Sequence, residues 1–508
     1  MRVLYVLSQN RMITTPSQTS SSLRLSKSKY LAGLQCHKRL YLEIHAPELA
    51  SEPDPATRAI LDMGTGVGEL ARERYPGGVL VACGPKQLGD ALRQTQELLQ
   101  TPGVPAIFEA TFLYDQILVR ADIVERVSQE SAEPAWRLIE VKSSSRLKEP
   151  HIDDLAIQTY VLAGAGVRLA GSALMHINSQ YVFPGGEIDL MQFFTVHDLT
   201  ETVATKRPAV FARLEEMWAM LDRAFPPAVE PDGHCQQPYA CPFWDHCTKE
   251  KPKRWIFYLP GNERISRELA LQGIGTIDAI PDTVSLSIIQ RRVKNNVEWI
   301  GPGLKAALRA VRYPVHHLDF ETFMPAVPKF PATRPYQTIP TQWSNHVDAG
   351  LGEVKHDEFL AMEPKDARED LTMALLESLG QEGSICVYSG FERAILQRLA
   401  DVFPSLRVEL ARVIERLWDL LAVIREHYYH PAFEGSFSIK SVLPAVAPAL
   451  AYGDLDIRDG GTAAREYHRM VFEEMDLVEK LRLREALLKY CERDTFAMLE
   501  LRRVLADK

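Results

Sequence analysis

The 508-residue chain has no apolar run near the roughly 18 residues that a membrane-spanning helix needs, which excludes a helical membrane protein. It has no excess of positive charge. Lys and Arg total 58 against 67 Asp and Glu, a formal net charge of −9. A uniformly basic nucleic-acid coat is therefore excluded, and any nucleic acid must be held in a local basic groove. No Gly-x-x-x-x-Gly-Lys-Ser/Thr loop is present, so ATP-driven strand separation is not expected of this chain. None of the seven cysteines forms a Cys-x-x-Cys pair, the usual mark of a zinc ribbon. There is no internal repeat.

What remains is a globular composition, 46% hydrophobic and 25% charged. At roughly 150 residues per domain, the length points to about three domains. The start, MRVLYVLSQN, has too short an apolar core for a secretory signal. Residues 1–22 read as a flexible leader, and the cytoplasm is the expected compartment. Disulfides are not expected there, so the cysteines need another explanation.

Residues 23–250 read as mixed α/β. AIFEATFLYDQILVRADIVERV (106–127) predicts a hairpin turning at Tyr-Asp-Gln, and WRLIEVKSS (136–144) predicts a strand. HIDDLAIQTYVLAGAG (151–166) predicts a helix opened by capping aspartates. Residues 251–311 carry Pro and Gly between short helical pieces and read as a helical connector. Its Gly-x-Gly turn at 273–275 resembles a helix-hairpin-helix, with Arg291, Arg292 and Lys294 following; a plain helical linker is the favoured reading, since charged linkers are common. Residues 312–508 alternate strands and helices and end in a long helix over 476–505.

Three constellations carry chemistry. In the first, Asp122 on the hairpin precedes Glu140-Val141-Lys142. Residues two apart on a strand share a face, so Glu140 and Lys142 point together. Carboxylates from adjacent strands suit Mg²⁺, and a nearby lysine can stabilise charge on a phosphate. An exposed Glu–Lys pair would produce the same spacing. Gln158 follows on the next helix. In the second, Cys235, Cys241 and Cys247 recur at Cys-x5-Cys-x5-Cys, and Cys36 lies far upstream. Four thiolates suit an iron–sulfur cluster or zinc, with His37, His234 and His246 as further zinc donors. Cys83, Cys386 and Cys491 sit in apolar settings and read as structural. The basic segment around Lys27, Lys29, Lys38 and Arg39, interleaved with Tyr30 and Tyr41, can contact a nucleic-acid strand.

This order of one cysteine, Asp, Glu-x-Lys, a glutamine helix and three cysteines resembles the RecB-like PD-(D/E)XK nucleases that carry a four-cysteine cluster. The resemblance covers residues 23–250. It implies Asp122 and Glu140 as metal ligands, Lys142 as the catalytic lysine and Gln158 as the helix glutamine. It also implies a cluster, of the 4Fe-4S type, held by Cys36, Cys235, Cys241 and Cys247. Where that family has a histidine on its first helix, this chain offers Gly68 and Glu69.

In the third constellation, HLDFETF (317–323) places Asp319 and Glu321 on one strand face. Tyr490 and Asp494 stand four apart on the terminal helix. Glu392 and Asp419 lie between them in sequence. Carboxylates converging on two cations fit in-line attack of water on a phosphodiester. This half resembles the DnaQ-like exonucleases of RNase H-like fold, in the subgroup whose last motif is Tyr-x-x-x-Asp. Glu392 then stands where that family has aspartate, and Asp419 is a fourth carboxylate or a helper.

The expectation is an α/β protein with a PD-(D/E)XK restriction-endonuclease-like domain (23–250), a helical connector (251–311) and an RNase H-like exonuclease domain (312–508). Taken together, the halves resemble a bacterial family that fuses these two nucleases. The resemblance implies Mg²⁺- or Mn²⁺-dependent hydrolysis of DNA, single-stranded or with free ends, in repair or anti-phage defence. A nucleic-acid-binding scaffold with inactive sites and an RNA-directed nuclease are the alternatives.

Overall fold

The computed structural model describes residues 23–508 except 85, 128–133, 262, 351 and 451. The expected leader lies outside the described residues. The chain folds into mixed α/β layers, and no helix among the described residues is long and apolar enough to cross a membrane.

The first sheet contains β1 (Leu25–Ser26), β2 (Val79–Leu80), β3 (Ala106–Tyr114), β4 (Ile117–Arg126), β5 (Trp136–Lys142), β6 (Leu169–Ile177) and β7 (Phe194–Asp198). Its order is β2-β3-β4-β5-β6-β7, with β1 beside the start of β4. The β3–β4 hairpin turns on Asp115 and Gln116, both at positive φ, the twist that a tight hairpin requires. The parallel β5–β6 pair needs a crossover, supplied by the helix Glu149–Gly164. That helix starts two residues earlier than the sequence pattern predicts, because Pro150 in its first turn nucleates it. Asp153 and Asp154 therefore lie inside the helix and do not cap it. Apolar residues cover both faces of the sheet, Leu155, Val161 and Leu214 on one side and Ile123, Ile139 and Phe193 on the other.

The connector holds short helices at Glu263–Leu271, Ile288–Asn295 and Leu304–Arg309, and β8 (Trp299–Ile300). After Gly273, which takes the positive φ of a helix stop, the chain makes only a 3₁₀ turn at Ile277–Ala279. Arg292 is committed to packing. Its guanidinium donates to the Arg425 and Glu426 carbonyls and stacks over Trp299.

The second sheet contains β9 (Val315–Phe323), β10 (Ile339–Asp348), β11 (Val354–Leu360), β12 (Ser384–Val387) and β13 (Leu417–Asp419), in the order β11-β10-β9-β12-β13. The β9–β10–β11 set is antiparallel, and β12 and β13 run parallel to β9. The chain then forms β14 (Tyr428–Tyr429), which pairs with β8 and ties the connector to this half. The terminal helix Leu477–Asp507 lies across β9 and β10, with Leu487, Met498 and Leu501 packed inward. On the other face, Leu318, Phe320 and Trp343 pack against Leu371 and Leu375.

The two halves touch. The Phe183 amide donates to the Thr333 carbonyl at 2.9 Å, and the Tyr336 hydroxyl donates to the Ser143 carbonyl. Ala326 joins the core on one face of the first sheet.

Candidate functional site

Three sites emerge, one for each sequence constellation. In the first, Glu140 projects from the middle of the first sheet and is almost fully buried. Burial alone would raise its proton affinity. Lys142 and Lys27 outweigh that and hold its carboxyl well below the usual range. Lys142 Nζ lies 2.6 Å from one Glu140 oxygen, and Lys27 Nζ lies 2.9 and 3.0 Å from the two. Gln158 Nε2 donates to Glu140 at 2.6 Å and to Asp154 at 3.0 Å. Lys142 also reaches Asp154, at 2.6 Å. Asp122 accepts from the Val141 amide at 2.7 Å, and burial and Glu140 push its carboxyl up to about 7.

All four residues expected here therefore meet. Two further members were not assigned to the site from sequence. Lys27 comes from the basic N-terminal segment, 113 residues from Glu140. Asp154, a cap by its sequence pattern, lies inside the helix; its spacing of four from Gln158 on one helix face is the signal that points to the site. The side-chain oxygen of Gln158 is buried without a partner. Lys29, Lys38 and Arg39 lie outside this cluster; Lys38 and Arg39 line the cysteine pocket instead.

In the second site, Cys36, Cys235, Cys241 and Cys247 line one small pocket with Lys38, Arg39, His234 and Phe243. Cys36 sits in the break between two helices, Lys27–Gln35 and His37–His45. The Gln35 side chain donates to the His234 and Tyr239 carbonyls at 2.7 and 2.8 Å, which ties the first cysteine to the other three. Burial pushes the thiols of Cys235, Cys241 and Cys247 up, and neighbouring cysteines add to this. Four thiols in one pocket, Cys235 buried and the other three half-buried, form a donor set that fits a bound cationic metal centre. His234 Nε2 lies 3.5 Å from Cys235 Sγ, so a mixed thiolate–imidazole set is also present.

In the third site, Asp319 and Glu321 of β9 share a face, as predicted, with Phe320 buried opposite. Asp494 and Tyr490 descend from the terminal helix, and Glu392 enters from the first turn of Phe391–Val402. Burial pushes Asp319 well above its ordinary value, and Asp494, Glu321 and Glu392 add to it. Burial likewise raises Glu321 to about 8, Glu392 to about 7 and Asp494 to about 6. One oxygen of Glu392 is buried without a partner. Such a cluster of carboxylates under mutual repulsion, with an orphaned oxygen, fits a divalent cation.

Asp419 ends β13 and caps the helix Leu420–His427, accepting from the Ala422 amide at 3.1 Å. It acts on Glu392 only as a nearby charge. Tyr452, which no sequence motif marks, donates to Asp494. Lys440 lies over the rings of Tyr452 and Tyr490. Cys491, expected to be structural, has its sulfur 3.9 Å from an Asp319 carboxylate oxygen, and one ligand atom each from Asp319, Glu321 and Cys491 fall within 4.8 Å of one another.

A family model described as a domain of unknown function (DUF2779) matches residues 316–438, a span that takes in Asp319, Glu321, Glu392 and Asp419. No curated protein matches the chain.

Proposed function

We propose that this protein is a metal-dependent nuclease with two phosphodiester-hydrolysing centres, an N-terminal PD-(D/E)XK-like one and a C-terminal RNase H-like one, acting on DNA. The observation that carries the reading is the convergence of Asp319, Glu321, Glu392 and Asp494 from one strand and two helices. Asp122, Glu140, Lys142 and Gln158 support it in the same way at the first sheet. Divalent cations, when bound, would supply an activated water and neutralise charge on the phosphate.

The chain's own groups divide the remaining work. Asp319, Glu321, Glu392 and Asp494 would hold cations at the C-terminal centre, and Tyr490 would orient the attacking water through its hydroxyl. At the N-terminal centre, Asp122 and Glu140 would hold a cation. Lys142 would stabilise the charge that grows on the phosphoryl oxygens, and Gln158 and Lys27 would fix the Glu140 carboxylate. Cys36, Cys235, Cys241 and Cys247 would hold an iron–sulfur cluster that staples the ends of residues 23–250. Iron content and brown colour after anaerobic purification check this; colourless protein with one zinc would contradict it.

A binding-only role has one specific observation in its favour: Glu140 already has three nitrogen donors, Lys27, Lys142 and Gln158. The deciding experiment is degradation of end-labelled single-stranded DNA, and of RNA of the same sequence, by the full chain in Mn²⁺ or EDTA. DNA loss in Mn²⁺ alone is expected. Binding without loss of either polymer would favour the scaffold.

A further inference from the structure

A third set of donors lies on the second sheet and shares no residue with the carboxylate centre. His346 on β10 and His356 on β11 are direct register partners. Their rings stack at 4.4 Å with 28° between planes. Glu492 comes from the terminal helix, and one ligand atom from each of the three lies within 4.8 Å of the others. The ligand atoms of a tetrahedral zinc site stand roughly 3.3 Å apart, given bonds of about 2.0–2.1 Å. Closing on one ion would draw these atoms together by up to about 1.5 Å, most of it available to the exposed Glu492.

Each ring is held through one nitrogen by a hydroxyl. The Thr495 hydroxyl lies 2.8 Å from His346 Nδ1, and the Ser344 hydroxyl lies 2.9 Å from His356 Nε2. The two hydroxyls are 2.7 Å apart and so brace each other. Hydrogen bonding one imidazole nitrogen fixes the ring and leaves the other for a ligand, the usual arrangement around metal-bound histidine.

We propose that His346, His356 and Glu492 form a site for a transition-metal dication of the zinc class, separate from the carboxylate centre. Two imidazoles and one carboxylate select Zn²⁺, Co²⁺ or Ni²⁺ over Mg²⁺. Bound there, the ion clamps the edge strand β11 and the terminal helix to β10. The same helix carries Tyr490 and Asp494, so the clamp holds the register of the neighbouring site. Ser344 is the register partner of Asp319, and His346 that of His317, which places the two sites two residues apart along the strands. The inference stands whether or not the protein is a nuclease.

The test uses full-length protein, stripped of metal and equilibrated with micromolar Zn²⁺, with zinc per chain measured by mass spectrometry. Wild type is compared with His356→Ala and with Glu492→Gln; Glu492 is exposed, so the second variant keeps the fold. Zinc held by the cysteines is common to all three proteins and cancels in the difference. His356→Ala should lose one zinc per chain, and Glu492→Gln should bind that zinc at least about tenfold more weakly. Zn²⁺ should also raise the melting temperature of wild type more than that of His356→Ala. Equal zinc content and equal affinity in all three proteins would overturn the proposal.

Discussion

At the N-terminal centre the buried carboxylates have cations within reach: Lys27 and Lys142 embrace Glu140, and Lys142 also reaches Asp154. At the C-terminal centre, Asp319, Glu321, Glu392 and Asp494 face one another, and Lys440 acts on Glu321 and Asp494 from a position 5.5 Å from the centre of the Tyr490 ring. At the first centre, protein cations keep Glu140 ionised, although burial still raises Asp122 and Asp154. At the second, burial pushes all four carboxylates up, with Lys440 and Arg493 countering it at Asp494. Burying charge without a partner is costly, so the two centres must depend differently on metal, pH and substitution.

Lysine substitution gives the largest expected contrast. With the C-terminal centre disabled by Asp319→Ala, Lys142→Ala should cut cleavage by about 10²–10³-fold, because a preorganised positive donor acts on transition-state charge. DNA binding by the same protein should change little. Equal cleavage rates would remove the lysine from the mechanism.

Metal-linked stability comes next. Mn²⁺ at about a hundred times its Kd stabilises a folded site by about 2.7 kcal/mol. The larger part of that gain, from the C-terminal centre where no lysine must be displaced, should persist in Asp122→Ala and be lost in Asp319→Ala, as read by thermal melting with and without Mn²⁺. Equal gains in both variants would erase the distinction between the centres.

The pH dependence sharpens the comparison. Glu321, Glu392 and Asp494 bind protons more tightly folded than unfolded, at about 8, 7 and 6. Their contribution to stability is full below the unfolded carboxylate range and is lost as pH rises through those values. Glu140 is the opposite case. Its proton affinity is lowered on folding, so its contribution is present above the unfolded range and lost as the solution is acidified. Metal-free protein should therefore lose stability between about pH 5 and 8, by a slope that Glu321→Gln reduces and Mn²⁺ flattens. Denaturant melts across that range check the sign.

The smallest effect is expected at Tyr490. Tyr490→Phe removes a hydroxyl that hydrogen-bonds Asp494 and leaves every carboxylate in place. Cleavage at the C-terminal centre should slow by about ten- to a hundredfold with Mn²⁺ affinity unchanged. A loss of Mn²⁺ binding would make the residue structural.

The same two centres mark how far the sequence was legible. Strand alternation places Glu140 with Lys142 and Asp319 with Glu321, because period-2 geometry is local. Helix periodicity likewise pairs Tyr490 with Asp494. The partners that set each centre's electrostatics are not local. Lys27 arrives across 113 residues because β1 docks beside β4. Tyr452 arrives from a 3₁₀ turn with no pattern of its own. Asp154 was hidden by a misplaced helix start, since Pro150 moves the first turn upstream. Cys491 looked like core because apolar residues surround it in sequence, yet its sulfur faces Asp319. The α/β layering followed from periodicity; the meeting of distant elements at one point required the fold.

The central claim is that the two acidic clusters are metal centres. It is tested most directly by anomalous scattering from crystals of the full chain soaked in Mn²⁺. The account predicts Mn²⁺ peaks bounded by Asp319, Glu321, Glu392 and Asp494 and, with Lys27 displaced, a peak between Asp122 and Glu140. Crystals that diffract well and show no Mn²⁺ at either cluster would contradict it.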